Sequence, residues 1–366
     1  MLKTNRRSKG LLGLFLLGSL VALALGCTPS DPQSTFDTVG PVARDQALVF
    51  YIIFALGAVV FVLVEGAILY MVIKFRRRPG DGDPEQVHGN SQVEIAWTVA
   101  PVIILIIAVI PSLIVTFSSA NSPQTPEEGG LLVEAIGHQW WFEFKYPAYG
   151  VVTANELHVP VDIAVNVSLD SVDVIHSFWF PKLAGKVDMV PGNDNHLWFL
   201  AEREGEFFGQ CVEFCGVSHA NMKMKLVVES QEDFDAWITA QLADASAPSD
   251  PLALEGQELF MGGDTLCFRC HTVGGTALAR GTIGPNLTHL ASRRHIASGL
   301  MKNTEDGSEI VSNALLQANL REWLKDPDEV KPGNIMGRDA EIYDGTLPAL
   351  TDNQIDALVA YLLTLK

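Results

Sequence analysis

Four of the five cysteines fall into two close pairs, each followed by a histidine. The first constellation is Cys211-Val-Glu213-Phe-Cys215-Gly-Val-Ser-His219-Ala-Asn-Met222, two thiols, an imidazole and a thioether within twelve residues. Soft sulfur combined with nitrogen selects copper or zinc. A single blue-copper centre takes one Cys, two His and a weak Met. Here a short loop can aim two sulfurs at one spot, and two thiolates can bridge two metal ions. Such a pair still needs a second histidine, and His176 stands 35 residues before Cys211 in Asp173-Val-Ile-His176-Ser-Phe-Trp. Structural zinc on Cys211, Cys215 and His219 is the competing reading. His138, His158 and His196 read as structural or surface residues.

The second constellation, Cys267-Phe-Arg-Cys270-His271, is a haem attachment signature. The two sulfurs reach the two vinyl groups, and the adjacent imidazole meets the iron from one side. A sixth ligand must come from the opposite face, hence from far along the chain, and a methionine there raises the potential. Met261 is too near the attachment segment; Met301 lies 30 residues beyond His271 and Met336 lies 65 beyond it.

The elements that must position these groups can be read from pattern. Within residues 131–230, Leu131 to Ile136, Ala164 to Leu169 and Met224 to Val228 are short β-rich runs divided by Gly, Pro, Asp and Asn, which predicts an antiparallel sandwich. Residues 240–251, rich in Ala, Ser, Asp and Pro, read as a linker. Thr351 to Leu365 is amphipathic, with Ile355, Leu358, Val359 and Leu362 on one face.

Three apolar segments precede them. Residues 1–26 have a basic start and a 16-residue apolar stretch, the pattern of an export signal. It ends Ala24-Leu25-Gly26-Cys27, similar to a lipoprotein cleavage site, with Ala24 where leucine is usual. Ala47 to Ile73 is 27 nearly uninterrupted apolar residues containing Glu65, and Ile95 to Phe117 is 23 residues containing Pro101 and Pro111. Both are long enough to cross a bilayer. The Arg76–Arg78 cluster between them belongs in the cytoplasm by the positive-inside rule, so everything after about residue 120 lies outside. Covalent haem of this type is attached in that compartment.

The 366 residues carry a formal net charge of −18. Acidic residues outnumber basic ones 19 to 6 within residues 121–249 and 16 to 10 within residues 250–366. This rules against nucleic acid and suits a basic protein partner. An odd cysteine count argues against a simple disulfide framework.

Around Cys211 the chain resembles the dinuclear copper A site of cytochrome c oxidase subunit II. The family pattern Cys-x-Glu-x-Cys-x3-His-x2-Met is matched throughout, and its upstream His-Ser is matched at His176-Ser177. Residues 137–144 resemble the family's aromatic stretch, in which Trp140 would be the point where electrons enter. From the residues alone Trp140 reads as a sheet-packing aromatic. Residues 90–98 and Pro101 resemble the start of the second membrane helix, with Glu94 at the mouth of the K proton channel. The resemblance runs from about residue 45 to 240. It implies two coppers sharing Cys211 and Cys215, one adding His219 and the Glu213 carbonyl, the other His176 and Met222. It also implies a magnesium reached by the Glu213 side chain at the interface with subunit I.

Residues 252–366 resemble class I cytochromes c. Lys331-Pro-Gly333-Asn-Ile-Met336 resembles the Pro-Gly-x-x-Met loop, which implies Met336 as sixth ligand with Met301 next. Gly284-Pro285-Asn286-Leu287 resembles the segment whose Pro carbonyl accepts from the proximal histidine, here His271. Gly256, Phe260 and Tyr361 resemble the contact between first and last helices.

The whole resembles subunit II of a caa3-type haem–copper oxidase. The expected architecture is a multidomain membrane protein in five parts: a signal at 1–26 with Cys27 lipidated, a two-helix transmembrane hairpin at 45–120, a cupredoxin-like β-sandwich at 121–239, a linker at 240–251 and an all-α cytochrome c domain at 252–366. The resemblance implies one covalent haem c, residence in the bacterial cytoplasmic membrane with both redox domains on the outer face, and contact with membrane lipid. Implied partners are subunits I and III and an external donor, whether cytochrome c, cupredoxin or an upstream complex. Electrons would pass from haem to copper to subunit I, which reduces O2 to water and pumps protons. The electron-input subunit of a copper A nitric oxide reductase would use the same site residues, and Glu94 favours the oxidase. The haem disfavours a copper-delivery protein, and the intact copper ligands disfavour a quinol oxidase subunit.

Overall fold

A computed structural model describes residues 18, 31–83, 86, 88–305 and 310–366. Apart from Gly18, the predicted signal and Cys27 lie outside the described residues.

Two long helices come first. Helix α1, Pro41–Lys74, starts with proline in its first turn, where no amide donor is missed. Helix α2, Ser91–Ser119, is capped by Asn90, whose side chain accepts from the amides of Gln92 and Val93. It continues through Pro101 and Pro111. Their 34 and 29 residues would span about 51 Å and 44 Å at 1.5 Å each, more than the ~30 Å hydrocarbon layer. The two helices pack on each other and leave nearly all their other apolar surface exposed, as a bilayer requires. Their outer ends are tied to the next domain. Val39 N donates to Lys182 O at 2.7 Å, Lys182 Nζ meets Asp37 at 2.5 Å, and Trp198 Nε1 donates to Ser119 O at 2.9 Å.

The following domain is a β-sandwich. One sheet runs β3-β2-β1-β5-β8, built from β1 Leu131–His138, β2 Trp141–Tyr146, β3 Val151–Ala154, β5 Ala164–Ser171 and β8 Asn195–Leu200. The other runs β4-β10-β9, from Glu156–Pro160, Lys223–Glu229 and Gly205–Gln210. A small pair joins β6 His176–Phe178 to β7 Val187–Met189. Strands β1 and β2 alternate buried and half-buried residues, and Val133, Phe142, Phe144, Leu157, Val167 and Leu226 fill the space between the sheets. The predicted antiparallel arrangement is corrected to a mixed one: β1 runs parallel to β5 and β4 parallel to β10. Each parallel pair joins strands far apart in the chain, and the crossover between them leaves both running the same way.

Helix α3, Gln231–Gln241, closes this domain, and among the described residues the elements that follow are helices apart from the short pair β11 His295–Ile296 and β12 Met301–Lys302. Its helices are α4 Pro251–Met261, α5 Cys267–Cys270, α6 Asn313–Lys325, α7 Pro327–Val330, α8 Ile335–Asp339 and α9 Asp352–Leu362. Helix α6 buries Leu316, Leu320 and Leu324 at four-residue spacing. Helices α4 and α9 cross at Gly256, where a Cβ would lie 1.9 Å from the Ala357 carbonyl oxygen, and Phe260 meets Tyr361 edge-on. Gly256→Ala is expected to destabilise this domain by about 1–3 kcal/mol or more, since the helices must separate. A lowered thermal midpoint of the haem absorbance checks it, and an unchanged midpoint refutes it.

Candidate copper and haem centres

The copper loop leaves β9 at Cys211 and returns to β10 at Met222. Its ends are tied by the Cys211 amide, which donates to Met222 O at 2.9 Å. His176 comes from β6, across the domain. The structure brings all six predicted donors together. The Cys211 and Cys215 sulfurs are 3.8 Å apart. Cys211 Sγ lies 3.9 Å from His176 Nδ1 and 3.3 Å from the Glu213 carbonyl. Cys215 Sγ lies 3.5 Å from His219 Nδ1 and 4.0 Å from Met222 Sδ. His176, Cys211, Cys215 and Met222 are buried.

Both cysteines are free thiols, at a separation well beyond the ~2.05 Å of a disulfide. Six donors are also two more than a tetrahedral zinc takes, and a thioether among them suits copper. The donor set therefore fits copper, which His176, Cys211, Glu213 O, Cys215, His219 and Met222 would hold. The hydrogen bond with Cys215 pushes the Cys211 thiol pKa down against the opposing effect of burial, and the same hydrogen bond together with burial pushes Cys215 up. Burial works against a charged His176, but Asp173 and Cys211 outweigh it and hold its pKa above the ordinary value.

Asp173 is a residue that sequence reasoning passed over. Its Oδ1 lies 2.8 Å from His176 Nε2, and its Oδ2 accepts from the Gln139 amide at 2.6 Å. It thus fixes the ring so that Nδ1 faces the sulfurs. Its place three residues before the histidine was the available signal. Glu213 keeps its side chain exposed, while Glu94 sits in the first turn of α2, in the membrane hairpin.

The attachment cysteines and His271 open on a cavity of about 500 Å3. It is lined by Cys267, Cys270, His271, Pro285 and Met336, with Leu320, Trp323 and Leu358 among its apolar walls. His271 Nδ1–H donates to Pro285 O at 2.8 Å, which turns Nε2 inward. Burial keeps its imidazole pKa low, hence neutral and able to ligate. Gly284 packs flat on this ring, where a Cβ would come within 2.5 Å of Cε1. Met301 packs in the domain core and is not among the described residues lining the cavity. The cavity fits a large flat apolar group gripped by His271 on one side with Met336 at the wall.

Trp140 stands between the two centres. Its Nε1 donates to Cys215 O at 2.9 Å, and it also lines the haem cavity. It is only 5% exposed. Gly333 of the haem domain covers its ring, with φ +75° and an ideal Cβ 3.2 Å from Cη2. Two further residues missed from sequence join there. Lys331 is buried, which pushes its ammonium down to about 7, and it donates to Trp140 O and to Ser298 Oγ.

Three domain families match the chain: Cytochrome C oxidase subunit II, transmembrane domain, over residues 33–115; Cytochrome C oxidase subunit II, periplasmic domain, over 151–231; and Cytochrome c over 253–366. Among similar proteins is the cytochrome c oxidase subunit 2 of Alkalihalophilus pseudofirmus, 36% identical with 96% of each chain covered. Those of Bacillus sp. strain PS3 and Bacillus subtilis are also 36% identical, over 96% of this chain and 97% of theirs. The periplasmic match implies copper A, and the cytochrome c match implies haem c. With the two apolar helices, the matches make this a membrane-anchored chain with an external domain and a component of an oxidase that includes subunit I. The chain belongs to the cytochrome c oxidase subunit II family, in the form that carries a cytochrome c domain at its C-terminal end.

Proposed function

We propose that the chain relays single electrons inward from a haem c on Cys267, Cys270, His271 and Met336. The acceptor is a copper pair on His176, Cys211, Glu213 O, Cys215, His219 and Met222, and the route continues to subunit I. The observation that carries this reading is Trp140, one side chain bonded to the copper loop that also walls the haem cavity. When bound, the two groups supply one-electron chemistry at fixed positions. The copper donors sit on a loop tied at both ends and on a strand, and such anchoring limits reorganisation on each transfer. Asp173 orients His176, Pro285 orients His271, and burial keeps water from His176, Cys211, Cys215 and Met222.

In this reading subunit I reduces O2 to water and pumps protons, with Glu94 at the mouth of its K channel and the exposed Glu213 carboxylate reaching a magnesium at the shared interface. Subunit III completes the complex in the bacterial cytoplasmic membrane. The acidic external surface favours a basic donor protein. The test is purification of the complex through this chain. It should bring a haem–copper catalytic subunit and take up O2 in preference to NO. Faster NO uptake would make the chain the input subunit of a nitric oxide reductase, and copurification without any catalytic subunit would end the proposal.

A further inference from the structure

The segment 331–334 leads into α8 and Met336, and it lies directly on the copper loop. Ser218, fully buried and next to His219, donates its hydroxyl to Pro332 O at 2.5 Å. One residue earlier, the Lys331 ammonium reaches Trp140 O and Ser298 Oγ, and Ser298 also donates to Trp140 O at 2.8 Å. One residue later, Gly333 supplies the positive φ that lets the backbone lie flat against Trp140 and Val217. A second set of contacts braces the other end of the seam. Glu156 of β4 accepts from the His295 amide at 2.7 Å, and Glu206 of β9 pairs with Lys225 at 3.1 Å and with Arg294 at 3.7 Å.

None of these groups is itself a proposed copper or haem donor. A buried lysine is costly unless its donors are used, and here one is used on Trp140 O of the neighbouring domain and another on Ser298 Oγ of its own. The linker does not act as a loose tether either: Ala245 packs against the haem-domain core, and His289 Nε2 lies 3.2 Å from Gln241 O.

If the chain relays electrons from haem to copper, the geometry points to Ser218 and Lys331 as positioning residues that clamp the Met336 loop on the copper loop. The haem domain then works docked rather than swinging. The clamp gives a bonded route from the segment 332–336 through the Pro332 carbonyl and the Ser218 hydroxyl to the backbone of His219. Each transfer oxidises ferrous haem to ferric and adds one electron to the copper pair; no bond is made or broken, and no proton moves. Tunnelling falls off steeply with distance and across unbonded gaps, so a loosened clamp slows transfer without altering either centre.

The test uses the complete oxidase with Ser218→Ala and Lys331→Met. The readouts are the haem-to-copper transfer rate after flash reduction of the haem, the haem optical spectrum, the copper EPR signal, and hydrogen exchange in residues 212–222 and 326–334. The expected result is unchanged spectra, faster exchange in both segments and transfer slowed about tenfold or more. Lys331→Arg should restore part of the rate. Should Lys331→Met fail to mature, Ser218→Ala decides, because it removes one hydroxyl and little volume. Normal transfer in a variant with intact spectra overturns the clamp. Absence of transfer in the unaltered protein overturns the relay itself.

Discussion

With serine in place of Cys215, the chain should lose the copper pair, and oxygen uptake by the complex should fall on the order of a hundredfold or more. The covalent haem should remain. The cause is geometric. Cys215 Sγ stands within 4.0 Å of the Cys211, His219 and Met222 donor atoms, so it is the sulfur that ties one end of the site to the other. A hydroxyl is a hard, neutral donor at this pH and a poor match for copper, whereas thiolate and thioether suit it. Cys211 alone cannot bridge two ions and keep both histidines engaged. Metal analysis should find at most one copper per chain. The EPR signal of one electron shared over two coppers should vanish, while the haem spectrum stays. Two coppers and a shared electron in the variant would contradict the assignment.

Leucine at Met336 should leave the haem attached, since Cys267 and Cys270 are untouched, but open one side of the iron. Met336 shares the cavity with His271 and Met301 does not line it, so Met301→Leu serves as the control. That control is a volume-conserving swap in the core and should cost under about 1.5 kcal/mol. Axial ligands set haem potentials over roughly 0.8 V, and methionine lies on the high side. The Met336 variant should therefore become high-spin, shift to a lower potential and bind small external ligands. Met301→Leu should do none of these. The reverse pattern would move the sixth ligand to Met301.

Both centres could be read early because their donors sit close together in the chain: twelve residues hold most of the copper set, and five hold the haem attachment. The membrane helices were legible for the same local reason, as unbroken apolar runs. His176 needed the family resemblance or the fold, since a lone histidine 35 residues away has no local signature. The parallel pairing of β1 with β5 was missed because alternation reports which face is buried and is silent on strand direction. The seam between the domains was wholly hidden. Lys331 and Trp140 are 191 residues apart, and Ser298 and Trp140 are 158 apart. In sequence, Lys331 resembles any surface lysine, and Trp140 reads as a sheet-packing aromatic, its place as electron entry point implied only by the family resemblance. Only the folded chain shows that its own C-terminal domain covers Trp140.

The relay is tested most directly by delivering one electron to the haem of the purified protein with a flash and following both centres in time. The account predicts that the haem returns to its oxidised spectrum in step with reduction of the copper pair, one electron for one. A haem that stays reduced beside an unchanged, fully loaded copper site would contradict it.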